Sequence, residues 1–173
     1  DRVLGGRPAR ADDLANMPFL DAVIREALRL YPPAYAFGRE VVEPFKLGGV
    51  LLPKGAQVIT SPWAMHRNPR YWRAPESFMP ARWLDGETKK LPRYAYMPFG
   101  GGHRICIGSH FALLEAGLLL ATLMQQATLD VRPGFRMQLS PVVTLRPANG
   151  LPVTVHRRTT SLTPQPPSPH APQ

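Results

Sequence analysis

Apolar side chains recur at Phe19, Leu20, Val23, Ile24, Ala27 and Leu28, the i, i+1, i+4, i+5 spacing that lines one face of a helix. Pro18 suits the first position of that helix, where a missing N–H costs nothing, and Pro32-Pro33 stops it. Glu26 and Arg29 stand three apart and so can share a face. The stretch from Val41 to Ser61 reads as β: Val50-Leu51-Leu52 and Val58-Ile59-Thr60 flank a Pro53-Lys54-Gly55 turn, and Gly48-Gly49 marks a second turn or a bulge just before. From Pro62 to Gly102 no period holds, because prolines at 62, 69, 75, 80, 92 and 98 interrupt every run. An irregular stretch of that length needs an organising partner. Between Ser109 and Gln126 the chain is apolar almost all round, which predicts a helix buried on most sides. Thr128 to Arg132, Met137 to Arg146 and Leu151 to His156 predict short strands, the last two joined by the hairpin signal Asn149-Gly150. The expected class is mainly α with small β-sheets, an α+β arrangement over residues 1–158. Residues 159–173, rich in Thr, Ser, Pro and Gln, are expected to be a disordered tail.

Composition sharpens this outline at three points. A chain of 173 residues suits one domain better than two. Its 21 prolines are more than twice the usual ~5% share, and only five lie in the last fifteen residues, so irregular backbone belongs inside the domain as well. A single cysteine excludes an internal disulfide framework and any cysteine-only metal cage; it suits a reducing compartment, and the cytoplasm is the expected location. The net charge of +9 suits an acidic partner, an anionic surface or simply a basic exterior, while no nucleic-acid module is recognisable. No apolar run approaches the ~18 residues of a membrane span. The start at Asp1, with no capping logic over the first six residues, is read as the interior of something longer, and any membrane anchor is expected in the preceding part.

The candidate chemistry sits in Phe99-Gly100-Gly101-Gly102-His103-Arg104-Ile105-Cys106-Ile107-Gly108, the end of the irregular stretch and the opening of the apolar helix. A thiol just ahead of a helix faces unpaired N–H groups that favour its thiolate and can tune a metal-bound sulfur. Glycines let the backbone approach a flat ring, and Gly108 permits the same closeness at the helix start. Arg104 supplies a charge-assisted bond for a carboxylate, and Phe99 can shield the sulfur from water. Other readings of the same residues stand beside this one. A lone cysteine serves as a small buried hydrophobe, a glycine run as a flexible loop, and His103, Cys106 and His110 offer zinc three ligands without a fourth.

The spacing Phe, two residues, Gly, one, Arg, one, Cys, one, Gly resembles the haem-binding loop of the cytochrome P450 superfamily, with all five fixed positions present. Glu26 and Arg29 match that family's Glu-x-x-Arg helix. The run from Pro75 to Trp83 resembles the segment whose Arg joins the pair, here Arg82, with Ala81 where the family usually carries Glu. The resemblance covers residues 1 to about 157 and corresponds to the carboxyl-terminal portion of a member: the Glu-x-x-Arg helix, the irregular meander, the Cys loop and the helix after it. It implies haem b (iron protoporphyrin IX) with Cys106 as axial thiolate and as the residue of catalysis. Arg104, Phe99, Gly100, Gly102, Gly108, His103 and Arg39 are expected to help hold the cofactor, Arg104 and Arg39 as propionate partners. Glu26, Arg29 and Arg82 are expected to form a buried structural network.

The activity so implied is monooxygenation: one atom of O2 enters a hydrophobic organic substrate, with electrons from NAD(P)H through a flavodoxin-, ferredoxin- or reductase-type donor. Ala34, Tyr35, Ala36, Phe37 and Val143 are the expected substrate contacts. Arg67, Arg70, Arg73, Lys89, Lys90 and Arg93 are expected on the cysteine side, where they would attract an acidic donor. The long distal helix that relays protons would precede Asp1, so this chain alone is expected to bind haem weakly and to turn over nothing. Two further readings are an inactive truncated remnant of such an enzyme and a small basic metal-binding or interaction module.

Overall fold

A computed structural model describes residues 2–158; the tail expected over 159–173 lies outside the described residues. Helix α1 (Pro18–Leu30) has proline at its first position, as expected, and its last turn ends where Tyr31 N–H bonds the Ala27 carbonyl. The short α2 (Pro62–Met65) is capped by the Ser61 hydroxyl, which accepts from Ala64 N–H and donates to the Tyr35 carbonyl. Helix α3 (Ser109–Gln126) packs beside α1. The stretch from Pro62 to Gly102 is indeed irregular, broken only by α2 and by single 3-10 turns at Pro80–Trp83 and Glu87–Lys90; another 3-10 turn, Gly102–Arg104, follows in the Cys loop.

Among the described residues, eight short strands make four antiparallel pairs. Strands β1 (Phe37–Glu40) and β4 (Gln57–Thr60) pair with Phe37 opposite Thr60, and β2 (Phe45–Leu47) pairs with β3 (Val50–Leu52) around Gly48-Gly49. The expected partnership of Val50–Leu52 with Val58–Thr60 across Pro53-Lys54-Gly55 is therefore not formed. A two-residue glycine turn closes β2 on β3 first, and β4 crosses to β1. A second expectation also fails. Strand β8 (Val153–Arg157) pairs with β5 (Ala127–Val131), while β6 (Leu139–Pro141) pairs with β7 (Leu145–Pro147). Asn149-Gly150 does turn the chain, but β5 gives β8 a partner for all five residues, and β7 is only three long.

The core is small and centred on α1. Ala22 and Leu30 are buried with Trp72, Ala95 and Met97, and among them lie Glu26, Arg29, His66 and Arg82. Helix α3 departs from expectation. Only Gly117 and Ala121 are buried, while Phe111, Leu114, Leu119 and Leu123 are exposed. Its apolar surface is continuous, but within the described residues α1 and the 3-10 turn Ala11–Asn16 cover only one side.

Candidate cofactor-binding site

The buried face of α1 is its charged one. Arg29 meets both oxygens of Glu26, Nε to Oε2 and Nη2 to Oε1 at 2.9 Å each, and Arg82 Nε donates to Oε1 at 3.1 Å. Met79 N–H and the Trp83 indole N–H add bonds of 2.9 Å each. The spare guanidinium donors go to main-chain carbonyls: Arg29 to His66, Pro75 and Ser77, and Arg82 to Arg73 and Ala74. Side chains of all three charged residues are fully buried. Burial would raise the Glu26 carboxyl, but the bonds from Arg29, Met79 and Trp83 outweigh it and hold the group below the usual carboxylate range. This cluster organises the irregular segment, fixing residues 73 to 83 to α1 by donor and acceptor geometry.

A second tie runs from α1 to the Cys loop. His66, buried, places Nδ1 3.1 Å from the Arg29 carbonyl, and its Nε2 accepts the Met97 N–H at 2.8 Å. Burial pushes its imidazole down to about 4. Trp72, Trp83 and Tyr96 surround this tie, with Trp72 Nε1 donating to the Ala95 carbonyl and the Tyr96 hydroxyl to the Arg25 carbonyl.

The loop itself folds back on its own carbonyls: Gly100 N–H to Met97, Ile105 N–H to Gly102, and Cys106 N–H to Phe99 at 2.9 Å. Gly100 and Gly102 hold φ of +76° and +69°, which a residue with a side chain rarely adopts. Gly101 is glycine for a different reason: a Cβ there would lie 2.4 Å from Tyr94 Cε1. Cys106 is exposed, and Gly108 caps α3 behind it.

In front of the cysteine a cleft of about 450 Å³ opens between α1, the Cys loop and α3. Ile24 and Leu28 of α1 and Ala112, Leu113 and Ala116 of α3 form its apolar walls, with Pro33, Ala34 and Phe37 across from them. Cys106, Phe99 and Gly100 line it, and so do Arg104 and Arg39. Neither arginine meets a carboxylate among the described residues: Arg39 bonds only the Gly38 carbonyl, and Arg104 has no side-chain partner. An apolar slot carrying one open thiol and two guanidinium groups without a carboxylate partner suits a large, flat, largely apolar ligand with carboxylates at its edge.

The residues singled out in the sequence divide accordingly. Cys106, Arg104, Phe99, Gly100, Arg39, Ala34 and Phe37 converge on the cleft; Gly102 and His103 sit exposed in the 3-10 turn beside it. Tyr35 faces away but staples the wall, its hydroxyl 3.2 and 3.1 Å from the Pro141 and Val142 carbonyls. Ala36 is exposed, and Val143 is exposed with Thr144 lining the cleft in its place. His103, Cys106 and His110 do not form a ligand set, since among the described residues no three His, Cys, Asp or Glu side chains come together for a metal. His66, Met79 and Trp83 escaped the sequence reading as participants. Nothing local marks His66, whereas Trp83 stands next to Arg82 in the motif and was the nearest to being found. No helix among the described residues is long and apolar enough to cross a membrane.

Known proteins resemble the chain over most of its length. The family model described as Cytochrome P450 matches residues 1–151. Cyclooctatin synthase of Streptomyces melanosporofaciens is 41% identical over 145 residues, 84% of this chain and 32% of that protein. Cytochrome P450 4V2 of Homo sapiens is 35% identical over 153 residues, 88% of this chain and 29% of that protein. The structure of retinoic acid bound cyanobacterial CYP120A1 superposes with a TM-score of 0.81 at 36% identity, covering 87% of this chain and 35% of that one. The chain thus spans about a third of the length of the relatives it matches.

Proposed function

The chain belongs to the cytochrome P450 family, and from that membership we propose that its cleft is the haem-binding part of a haem-thiolate monooxygenase. The observation that carries the reading is the convergence of an accessible Cys106 thiol with two carboxylate-free arginines on one apolar slot. Haem b, when bound, supplies the O2 activation by which one oxygen atom enters a hydrophobic substrate and the other leaves as water. Cys106 would hold the iron through its thiolate, with the Cys106 N–H committed to the Phe99 carbonyl so that the loop keeps its shape. Arg104 and Arg39 would each take one propionate, and Phe99 would exclude water from the sulfur. Gly100, at φ +76°, lines the slot beside Phe37. Ala34, Phe37 and Thr144, held to the β6–β7 turn through Tyr35 and by Leu145 N–H on the Pro33 carbonyl, would face the substrate.

Electrons would come from NAD(P)H through a flavodoxin-, ferredoxin- or reductase-type donor. A second cleft supports a docking place for it: Lys89 and Arg93 line it with Tyr94, the residue whose ring lies on Gly101 of the Cys loop, while Arg25 there is engaged by Asp21. Exposed Arg70 and Lys90 extend the basic character, whereas Arg67 and Arg73 are engaged by Glu76 and Glu87.

The test is spectroscopic. Haem is added to the full 173-residue chain, reduced and exposed to CO, and the Soret band is recorded. A strongly red-shifted band that disappears in Cys106→Ala is the expected result. Failure to take up haem, or a band indifferent to that substitution, defeats the proposal.

A further inference from the structure

We propose that His66 is a positioning residue for the Cys106 loop, acting as a donor–acceptor bridge between α1 and the segment that enters the loop. It is fully buried and does not touch the cleft. Its two ring nitrogens have opposite duties. The Met97 N–H can only donate, so Nε2 must present a lone pair; the Arg29 carbonyl can only accept, so Nδ1 must carry the proton. The surroundings therefore demand one neutral tautomer. An imidazolium would lose the acceptor, and a phenyl ring of the same shape would offer neither group.

Both ends of this bridge are anchored. Arg29 grips the same residue twice, taking the His66 ring proton on its carbonyl and donating its own guanidinium N–H to the His66 carbonyl at 2.8 Å. Tyr96 and Trp72 lie against the imidazole at centroid distances of 5.2 and 6.4 Å and block rotation of the ring. At the other end, the Met97 carbonyl accepts Gly100 N–H at 3.0 Å, and two residues on Phe99 accepts Cys106 N–H. An unbroken path of hydrogen bonds and short main-chain steps thus leads from the α1 backbone to the cysteine. The Glu26 cluster gives no such path. The side-chain bonds of Glu26, Arg29 and Arg82 end on residues 66 to 87, and none reaches the loop. His66 passes the rigidity of α1 on to the Met97 backbone from which the loop starts, beside the Tyr96 hydroxyl on the Arg25 carbonyl.

The placement of the loop is a property of the chain without cofactor; its consequence for the iron rests on the haem-thiolate reading above. Amide exchange of the full, unloaded chain is therefore the primary measurement. In His66→Phe the amides of Met97, Gly100 and Cys106 should exchange about tenfold faster, the effect of one lost buried hydrogen bond, relative to amides of the β5–β8 ladder. His66→Gln, which again offers an N–H donor group and an acceptor oxygen, should return them close to the original rates. Uniform acceleration everywhere, no change at those three amides, or a Gln variant as fast as Phe would each overturn the proposal. Should His66→Phe not fold, 15N-histidine spectra of the unaltered chain decide. A neutral ring protonated on Nδ1, with coupling from Met97 N–H to Nε2, is expected, and a proton on Nε2 refutes it. With haem added, the reduced CO band should weaken in His66→Phe and recover in His66→Gln. The exchange pattern can fail while the Cys106 signature stands, and the reverse, so the two proposals fall separately.

Discussion

Glu26 receives five hydrogen bonds on two oxygens, from Arg29 twice, Arg82, Met79 and Trp83. Removing the carboxylate leaves buried Arg29 without a counter-charge and Arg82 with only Glu87, 3.5 Å away, so Glu26→Ala should destabilise the chain by about 3–5 kcal/mol. Arg82→Lys should not preserve stability either, because one ammonium cannot span Glu26 and the carbonyls of Arg73 and Ala74 together. Urea midpoints of the two variants check both statements, and a Glu26→Ala loss below about 1 kcal/mol would remove the network from the centre of the fold. At this scale much was legible in advance. The i, i+3 spacing and the motif around Arg82 located the three charges, since side-chain chemistry travels with local spacing. His66 was not legible, because its partners Arg29 and Met97 lie 37 and 31 residues away and a lone histidine has no spacing to read.

Helices and turns were legible for the same local reason; strand partners were not. Pro18, Pro32-Pro33 and the 3.6-residue period delimit α1 from within its own sequence. Whether β8 joins β5 or β7 depends on which edge is long enough once α3 has placed β5, and that is decided between residues from 22 (Val131 and Val153) to 30 (Ala127 and Arg157) apart. For α3 the pattern told the truth about the surface and misled about its cover. Leu119 and Leu123, at 63% and 45% exposure, show that an apolar face need not be a buried one. Such a patch should bind 8-anilinonaphthalene-1-sulfonate with strong fluorescence. Replacing Leu119 by Lys and Leu123 by Glu should reduce that signal while moving the unfolding free energy by no more than about 0.5 kcal/mol each. A large stability loss instead would mean that these leucines are already in a core.

For the molecule as a whole, the buried His66 and Glu26 make the architecture sensitive to acid. His66 titrates near 6.5 when unfolded but only at about 4 in place, chiefly through burial and then through the charges of Arg29 and Arg67. Between those values the unfolded chain binds the extra proton. Stability is thus complete above pH 6.5 and should fall by about 3 kcal/mol as pH drops towards 4. Glu26, also held below its ordinary value, adds a further loss in the same direction once pH passes below the usual carboxylate range. Urea unfolding at a series of pH values should show this slope, flattened between 6.5 and 4.5 in His66→Gln; a level profile in the unaltered chain would contradict it. The placement of α1 carries one more consequence. Its Ile24 and Leu28 form the wall of the cleft, and its Glu26 and Arg29, on the other face of the same turns, hold the charge cluster. A single thirteen-residue partition thus separates the ligand's space from the protein's anchor. Whatever fills the cleft braces that partition from one side while the cluster braces it from the other. Occupancy and melting temperature are then linked equilibria: a ligand at a hundred times its dissociation constant adds about 2.7 kcal/mol to the folded state.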